Sequence, residues 1–195
     1  MYQNLNEKII YYSNRPSLLR FGALNLIRIG WYPIALVNSQ LVWGSTVEKE
    51  YASAIKYYSQ RLHTYKGEDV SKKQIKKIKQ EIRQATLDKI IEKIIISNNS
   101  SELIGDKKPK LIAAKVKKYL QDPKLKAAAS ALFNLNFNDF KTVILIPQAE
   151  RELLEEQFSS ENRDFNNWLK NQKKKAKVYL FTKEYTWTEQ GIKRK

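Results

Sequence analysis

Three kinds of side chain in this 195-residue sequence could carry chemistry: clustered lysines, paired carboxylates and a single imidazole. There is no cysteine, so disulfides and thiolate metal sites are excluded, and a chain without thiols suits oxidising and reducing surroundings equally. His63 is the one histidine, and metal ligation or imidazole acid–base work needs partners the sequence does not offer. On a tyrosine-rich helix it reads as a boundary side chain. Glu155 and Glu156 are adjacent in a helical stretch, so they point to different faces, unlike a carboxylate pair that shares a proton or flanks a bond. Serine and threonine hydroxyls lack an evident base. No catalytic residue, metal or cofactor is therefore expected, and the chain reads as a non-enzyme.

The lysines carry more information. Lys and Arg number 36 against 20 Asp and Glu, a net charge of +16 that favours contact with polyanions. Lys72, Lys73 and Lys76 open one cluster, Lys107 to Lys118 hold another, and Lys173, Lys174 and Lys175 form a third. The first and third supply the candidate contacts to nucleic acid or an anionic membrane surface; the same placement on polar helix faces also serves plain solvation. Lysine is a hydrated point charge without the forked geometry of base readout. Zinc spacing, a glycine-rich phosphate loop and an aromatic RNA-binding pattern are all missing, so contact with nucleic acid would not be sequence-specific.

The elements that must position these groups centre on Pro33 to Ile96. Ile34–Val37 and Leu41–Trp43 are β-favouring runs separated by Asn38-Ser39-Gln40, which predicts a hairpin, although Gly would suit position 39 better than Ser. Ser45 with Glu48 predicts a capping box and a helix carrying Val47, Tyr51, Ala54, Ile55, Tyr58, Leu62 and Tyr65 on one stripe, ending at Gly67. Ser71 with Gln74 announces a second helix. Its stripe begins at Ile75, Ile78, Ile82 and Ala85 and widens through Leu87 to Ile95, which predicts deeper burial towards the C-terminal half. The run Ser97 to Ser101 is expected to interrupt or end that helix, because these side chains compete for backbone hydrogen bonds.

Before this segment, Ser17 to Tyr32 is apolar, but Arg20, Asn25 and Arg28 break it within about 20 residues, the length a spanning helix needs. Residues 1–32 are read as an arm or amphipathic helix, with no secretory signal visible. After it, helices are predicted from Asp106/Pro109 and from Asp122/Pro123, then one capped by Asn138 or Asp139 that Pro147 should bend or split, and one beginning at Ser160. Lys170 to Lys175 complement the negative end of that last helix. Ala176 to Thr182 is strand-like, and the hairpin at Ile34 is its only evident partner. The expected fold is mainly α, a multi-helix lobe with a small antiparallel sheet joining an N-terminal hairpin to a C-terminal strand; residues 183–195 read as a basic tail.

Three stretches carry a family resemblance. Ala35 to Val42 looks like a strand-turn-strand of the form V-N-G-x-x-I, Leu87 to Ile95 like an L-D-x-L-I helix, and Asp139 to Leu153 with the Trp168 helix and the Val178 strand like a C-terminal half. In these the chain, over about Ile34 to Thr182, resembles the core of SurA-type chaperones, similar in arrangement to the peptide-binding part of trigger factor; it departs at Ser39 and at Ser97 to Ser101. The resemblance implies a chaperone core over 33–182 that binds unfolded or extended polypeptide weakly in an apolar cradle, without a parvulin domain or prolyl isomerase activity. The candidate lining is Trp43, Tyr57, Tyr58, Tyr65, Phe133 and Phe137, aromatics whose helical spacing equally suits a core. By the same resemblance an extracytoplasmic or membrane-associated setting is expected, with the cytoplasm left open. The alternatives are a basic polyanion-binding protein and a structural assembly protein.

Overall fold

The structure is a computed structural model that describes residues 30–65 and 72–195, with side chains from 61 to 73 outside the description. The predicted stop at Gly67, the Ser71 capping pattern, most of the N-terminal arm and the His63 side chain therefore lie outside the described residues.

The hairpin forms as expected. β1 (Pro33–Val37) and β2 (Gln40–Trp43) pair antiparallel with Val37 opposite Gln40 and Leu36 opposite Leu41. The positive φ of the turn falls on Asn38, at 48°, which removes the need for glycine at position 39. Asn38 is also sewn to the other end of the chain: its N–H donates to Lys177 O at 2.7 Å, and its Oδ1 accepts from Lys177 N at 3.0 Å. β3 (Val178–Leu180) then pairs antiparallel with β1, giving the order β2-β1-β3. The hairpin at Pro33–Trp43 and the strand at Val178–Leu180 thus meet in one small sheet.

α1 (Gly44–Tyr65) follows β2 directly. Backbone oxygens, and not the expected Ser45–Glu48 capping box, satisfy its first N–H groups: Gly44 N donates to Tyr32 O at 2.8 Å and Ser45 N to Gly30 O at 3.0 Å, while the Glu48 carboxylate pairs with Arg83 instead of reaching back to Ser45. α2 (Lys72–Ile104) is the spine. The inner faces of the sheet and of α2 share a core in which Val37, Val47, Ile91 and Ile95 are almost wholly buried, each contributing roughly 1.5–3 kcal/mol of transfer free energy.

α2 does not end at Ser97 to Ser101. Asn99 Nδ2 donates to Ile95 O at 2.7 Å and Ser100 Oγ to Ser97 O at 3.1 Å, so the side chains bond back onto their own helix instead of replacing its ladder. A 3₁₀ turn (Gly105–Lys107) then leads into α3 (Lys108–Tyr119), and α4 (Leu125–Phe133) ends at Asn134 in the left-handed region. The next helix is capped by Asn136, two residues earlier than expected, its Oδ1 accepting from Asp139 N at 2.9 Å. α5 (Phe137–Phe140), a π-helical turn (Lys141–Leu145) and α6 (Ile146–Ser160) run on without a break, so Pro147 neither splits nor ends the helix. α7 (Phe165–Lys175) starts behind Asp164, which accepts from Asn166 N and Asn167 N, and not at Ser160.

Residues 183–195, read as a tail, hold a second sheet. β4 (Tyr185–Thr188) and β5 (Gly191–Arg194) form a hairpin whose Tyr185 and Ile192 join the core beneath α2. The period-two run Tyr185, Trp187 followed by a glycine was its sequence signal. The molecule is mainly helical, with a three-stranded and a two-stranded antiparallel sheet.

Candidate functional site

An apolar groove opens between α1, α2, the end of α4 and the π-helical turn, with a volume of about 640 Å³. α1 contributes Ala54, Tyr57 and Tyr58, α2 contributes Ile78, Ile82 and Ala85, and Phe133, Val143 and Ile144 close the far side. Of the stripe predicted on α1, Val47 is buried whereas Tyr58 is half exposed. Tyr57 stacks on Phe133 with ring centroids 5.1 Å apart and planes 6° apart, and Tyr58 meets Tyr57 edge-on at 5.8 Å. Ser53, on the same wall and almost fully buried, has a hydroxyl with no hydrogen-bond partner among the described residues.

The floor of the groove is charged but balanced. Lys93 Nζ lies 2.6 Å from Glu50 Oε2 and also donates to Val143 O at 2.9 Å. That carbonyl is free because Pro147, four residues on, has no N–H to give it. Here lies the reason the helix passes Pro147 intact: a lysine from a neighbouring helix satisfies the orphaned oxygen, and Ile146 N turns to Lys141 O in the wider π register. Burial pushes the Lys93 ammonium below its ordinary pKa, and the Glu50 carboxylate only partly offsets this.

Beyond the groove floor, Glu92 ties three helices together. Lys173 Nζ approaches its carboxylate at 2.5 Å and Arg151 Nη1 at 2.6 Å. Burial alone would raise the Glu92 pKa, but the hydrogen bond and charge of Lys173, with those of Arg151, outweigh it and hold the carboxyl below its usual range. A lowered carboxyl pKa contributes stability that is present above the unfolded value of about 4.3 and is lost as pH falls through the folded one. Glu92→Gln is therefore expected to be less stable than the parent at neutral pH, with the gap in urea midpoint closing as the pH is taken below about 4. A gap that stays constant down to acid would show that the Glu92 charge is not what matters.

The sequence candidates separate in space. Tyr57, Tyr58 and Phe133 line the groove; Phe137 packs against the core shared by α3, α4 and α6; Trp43 lies on the three-stranded sheet; the Tyr65 side chain lies outside the described residues. Of the lysines, Lys173 is mostly buried against Glu92, Lys174 pairs with Glu189 at 3.0 Å, Lys175 and Lys76 are exposed, and the Lys72 and Lys73 side chains lie outside the described residues. Sequence reasoning missed Ser53, Lys93, Val143 and Ile144. Only Pro147, which marks an unpaired carbonyl four residues earlier, gave any sign of the last three. No helix among the described residues is long and apolar enough to cross a membrane. Set against models of known families, curated proteins and solved structures, the chain matches none of them.

Proposed function

We propose that the protein holds unfolded or extended polypeptide segments weakly in the groove between α1 and α2, without prolyl isomerase activity, in the manner of the SurA-type chaperone cores it resembles. The observation that carries this reading is the open groove itself, walled by Tyr57, Tyr58, Phe133, Ile78 and Ile82 and closed at its floor by an ion pair that is already satisfied. Aliphatic and aromatic walls reward any apolar side chain without selecting one, and partial burial of a few such groups, set against the cost of ordering a flexible chain, gives weak and promiscuous binding.

A nucleic-acid reading has less support, since among the candidates whose side chains are described Lys173 and Lys174 are engaged with Glu92 and Glu189, leaving Lys76 and Lys175 on different helices.

The test is suppression of aggregation of a chemically denatured client at stoichiometric ratios, parent against Tyr58→Glu. Tyr58 is half exposed, so the change should leave stability within about 0.5 kcal/mol. The parent is expected to slow aggregation and the variant to lose several-fold of that effect. A parent without activity, or a variant equal to it, would overturn the reading.

A further inference from the structure

The three-stranded sheet has one face that no other element among the described residues covers. Its inner face, Ala35, Val37 and Val42, is buried against α2. Because successive strand residues point to opposite sides, Leu36, Leu41, Trp43 and Tyr179 fall on the other face. Leu36 is directly in register with both Leu41 and Tyr179, so the three side chains form one row across the strands. Phe181 extends the ladder through its N–H to Ile34 O at 2.9 Å and keeps the same parity. Trp43 is 43%, Tyr179 59% and Phe181 56% exposed, and Leu41 is 41% exposed. Apolar surface gathered like this on a sheet that ends in free edges is not left to water without a use.

Two observations bear on the kind of surface this face would meet. First, the residues beside this face are cationic: Lys177 has the same parity as Tyr179, Lys175 and Lys183 flank the strand, all three are exposed, and none has a carboxylate partner among the described residues. Second, the chain enters the described structure at Gly30, held beside this sheet by Ser45 N donating to Gly30 O, with Trp31 67% exposed. The sequence immediately before it carries Leu18, Leu19, Leu24 and Ile27 interspersed with Arg20 and Arg28. Tryptophan and tyrosine rings with an apolar body and a polar edge, with lysines along the β3 side, match the headgroup layer of a bilayer, and a net charge of +16 adds attraction to an anionic one.

We propose that the outer face of the β2-β1-β3 sheet seats the protein on an anionic lipid surface, with Leu41, Trp43, Tyr179 and Phe181 entering the interface and Lys175, Lys177 and Lys183 meeting the headgroups. This stands apart from the groove between α1 and α2 and does not depend on it.

The full chain is floated with phosphatidylcholine vesicles, with and without phosphatidylserine, at low and raised salt. The parent is expected to float with the serine-containing vesicles and to be released by salt. Trp43→Ser/Tyr179→Ser is expected to lose about tenfold or more in apparent affinity, equivalent to about 1.4 kcal/mol. Lys177→Glu/Lys183→Glu, which alters only exposed side chains, is expected to weaken binding to the anionic vesicles alone. Tyr58→Glu should float like the parent, which keeps failure of the groove reading distinct from failure of this one. A parent that does not float, or a Trp43/Tyr179 variant that floats as well as the parent with an unchanged circular dichroism melt, overturns the proposal. So does sedimentation showing a dimeric parent and a monomeric variant, since the face would then bind a second copy.

Discussion

Replacing Lys108 by methionine is expected to lower the unfolding free energy by about 3–5 kcal/mol, the cost of leaving a buried charge without its partner. Lys108 Nζ lies 2.6 Å from Glu150 Oε1, and the side chains are only 15% and 7% exposed. The same ammonium donates to Ser97 O at 3.0 Å and Ser101 Oγ at 3.2 Å, and Ser100, itself fully buried, donates to Glu150 Oε1 at 2.5 Å. One carboxylate thus joins α2, the start of α3 and α6. Methionine keeps the apolar stem and deletes the cation, so Glu150 is left with a single hydroxyl donor. The companion Lys108→Met/Glu150→Leu removes both charges and is expected to recover most of the loss, because a buried pair and an apolar pair of similar volume are close in free energy. Urea unfolding of the parent, the two single variants and the double variant measures the coupling. A Lys108→Met cost below about 1 kcal/mol would mean the pair behaves like a solvated surface bridge.

Gly191→Ala is expected to cost about 2–5 kcal/mol, combining backbone strain with a lost, partly buried hydrogen bond. Gly191 has φ of 112°, which side-chain-bearing residues rarely adopt, and a Cβ there would overlap Asp88 Oδ1. Asp88 holds the β4–β5 hairpin on α2 by accepting from Ile192 N at 2.9 Å. Asp88→Ala loses this bond but not the backbone conformation, so it should cost less. In the Asp88→Ala background the alanine at 191 no longer meets a carboxylate, and its cost should fall towards the strain alone. Additive costs in the four-way cycle would show that the overlap does not govern the site.

These two positions show where the sequence was and was not legible. Asp88 stands in the Leu87 to Ile95 stretch that was read as a helix stripe, and its neighbours Leu87, Ile90 and Ile91 are indeed buried. Nothing in periodicity reveals that its carboxylate receives a backbone N–H from a residue 104 positions later. Likewise Ser97 to Ser101 predicts a break when read locally. The helix continues because Ser100 and Ser97 face Glu150 and Lys108, which only folding brings to them. Pro147 was read as bending or splitting its helix for the same local reason; the helix is not split, and Lys93 satisfies the oxygen that the proline orphans by donating to Val143 O.

The candidate site divides in the same way. Tyr57, Tyr58 and Phe133 were selected as apolar lining and stand around one groove, whereas Trp43 was placed with them and lies on the outer sheet face. An aromatic residue's type is written in the chain, but which surface it joins depends on how α1 departs from β2.

By itself the sequence determined the mainly helical class, the hairpin at Ile34, its pairing with the strand at Val178 and the excess of positive charge, because turn chemistry, apolar spacing and charge are local quantities. The tertiary structure decided which polar groups are buried, which lysines are already engaged, and which apolar faces are left uncovered. Those depend on contacts between residues tens of positions apart, whose free energy exists only once α2 has been enclosed by the elements from both ends of the chain.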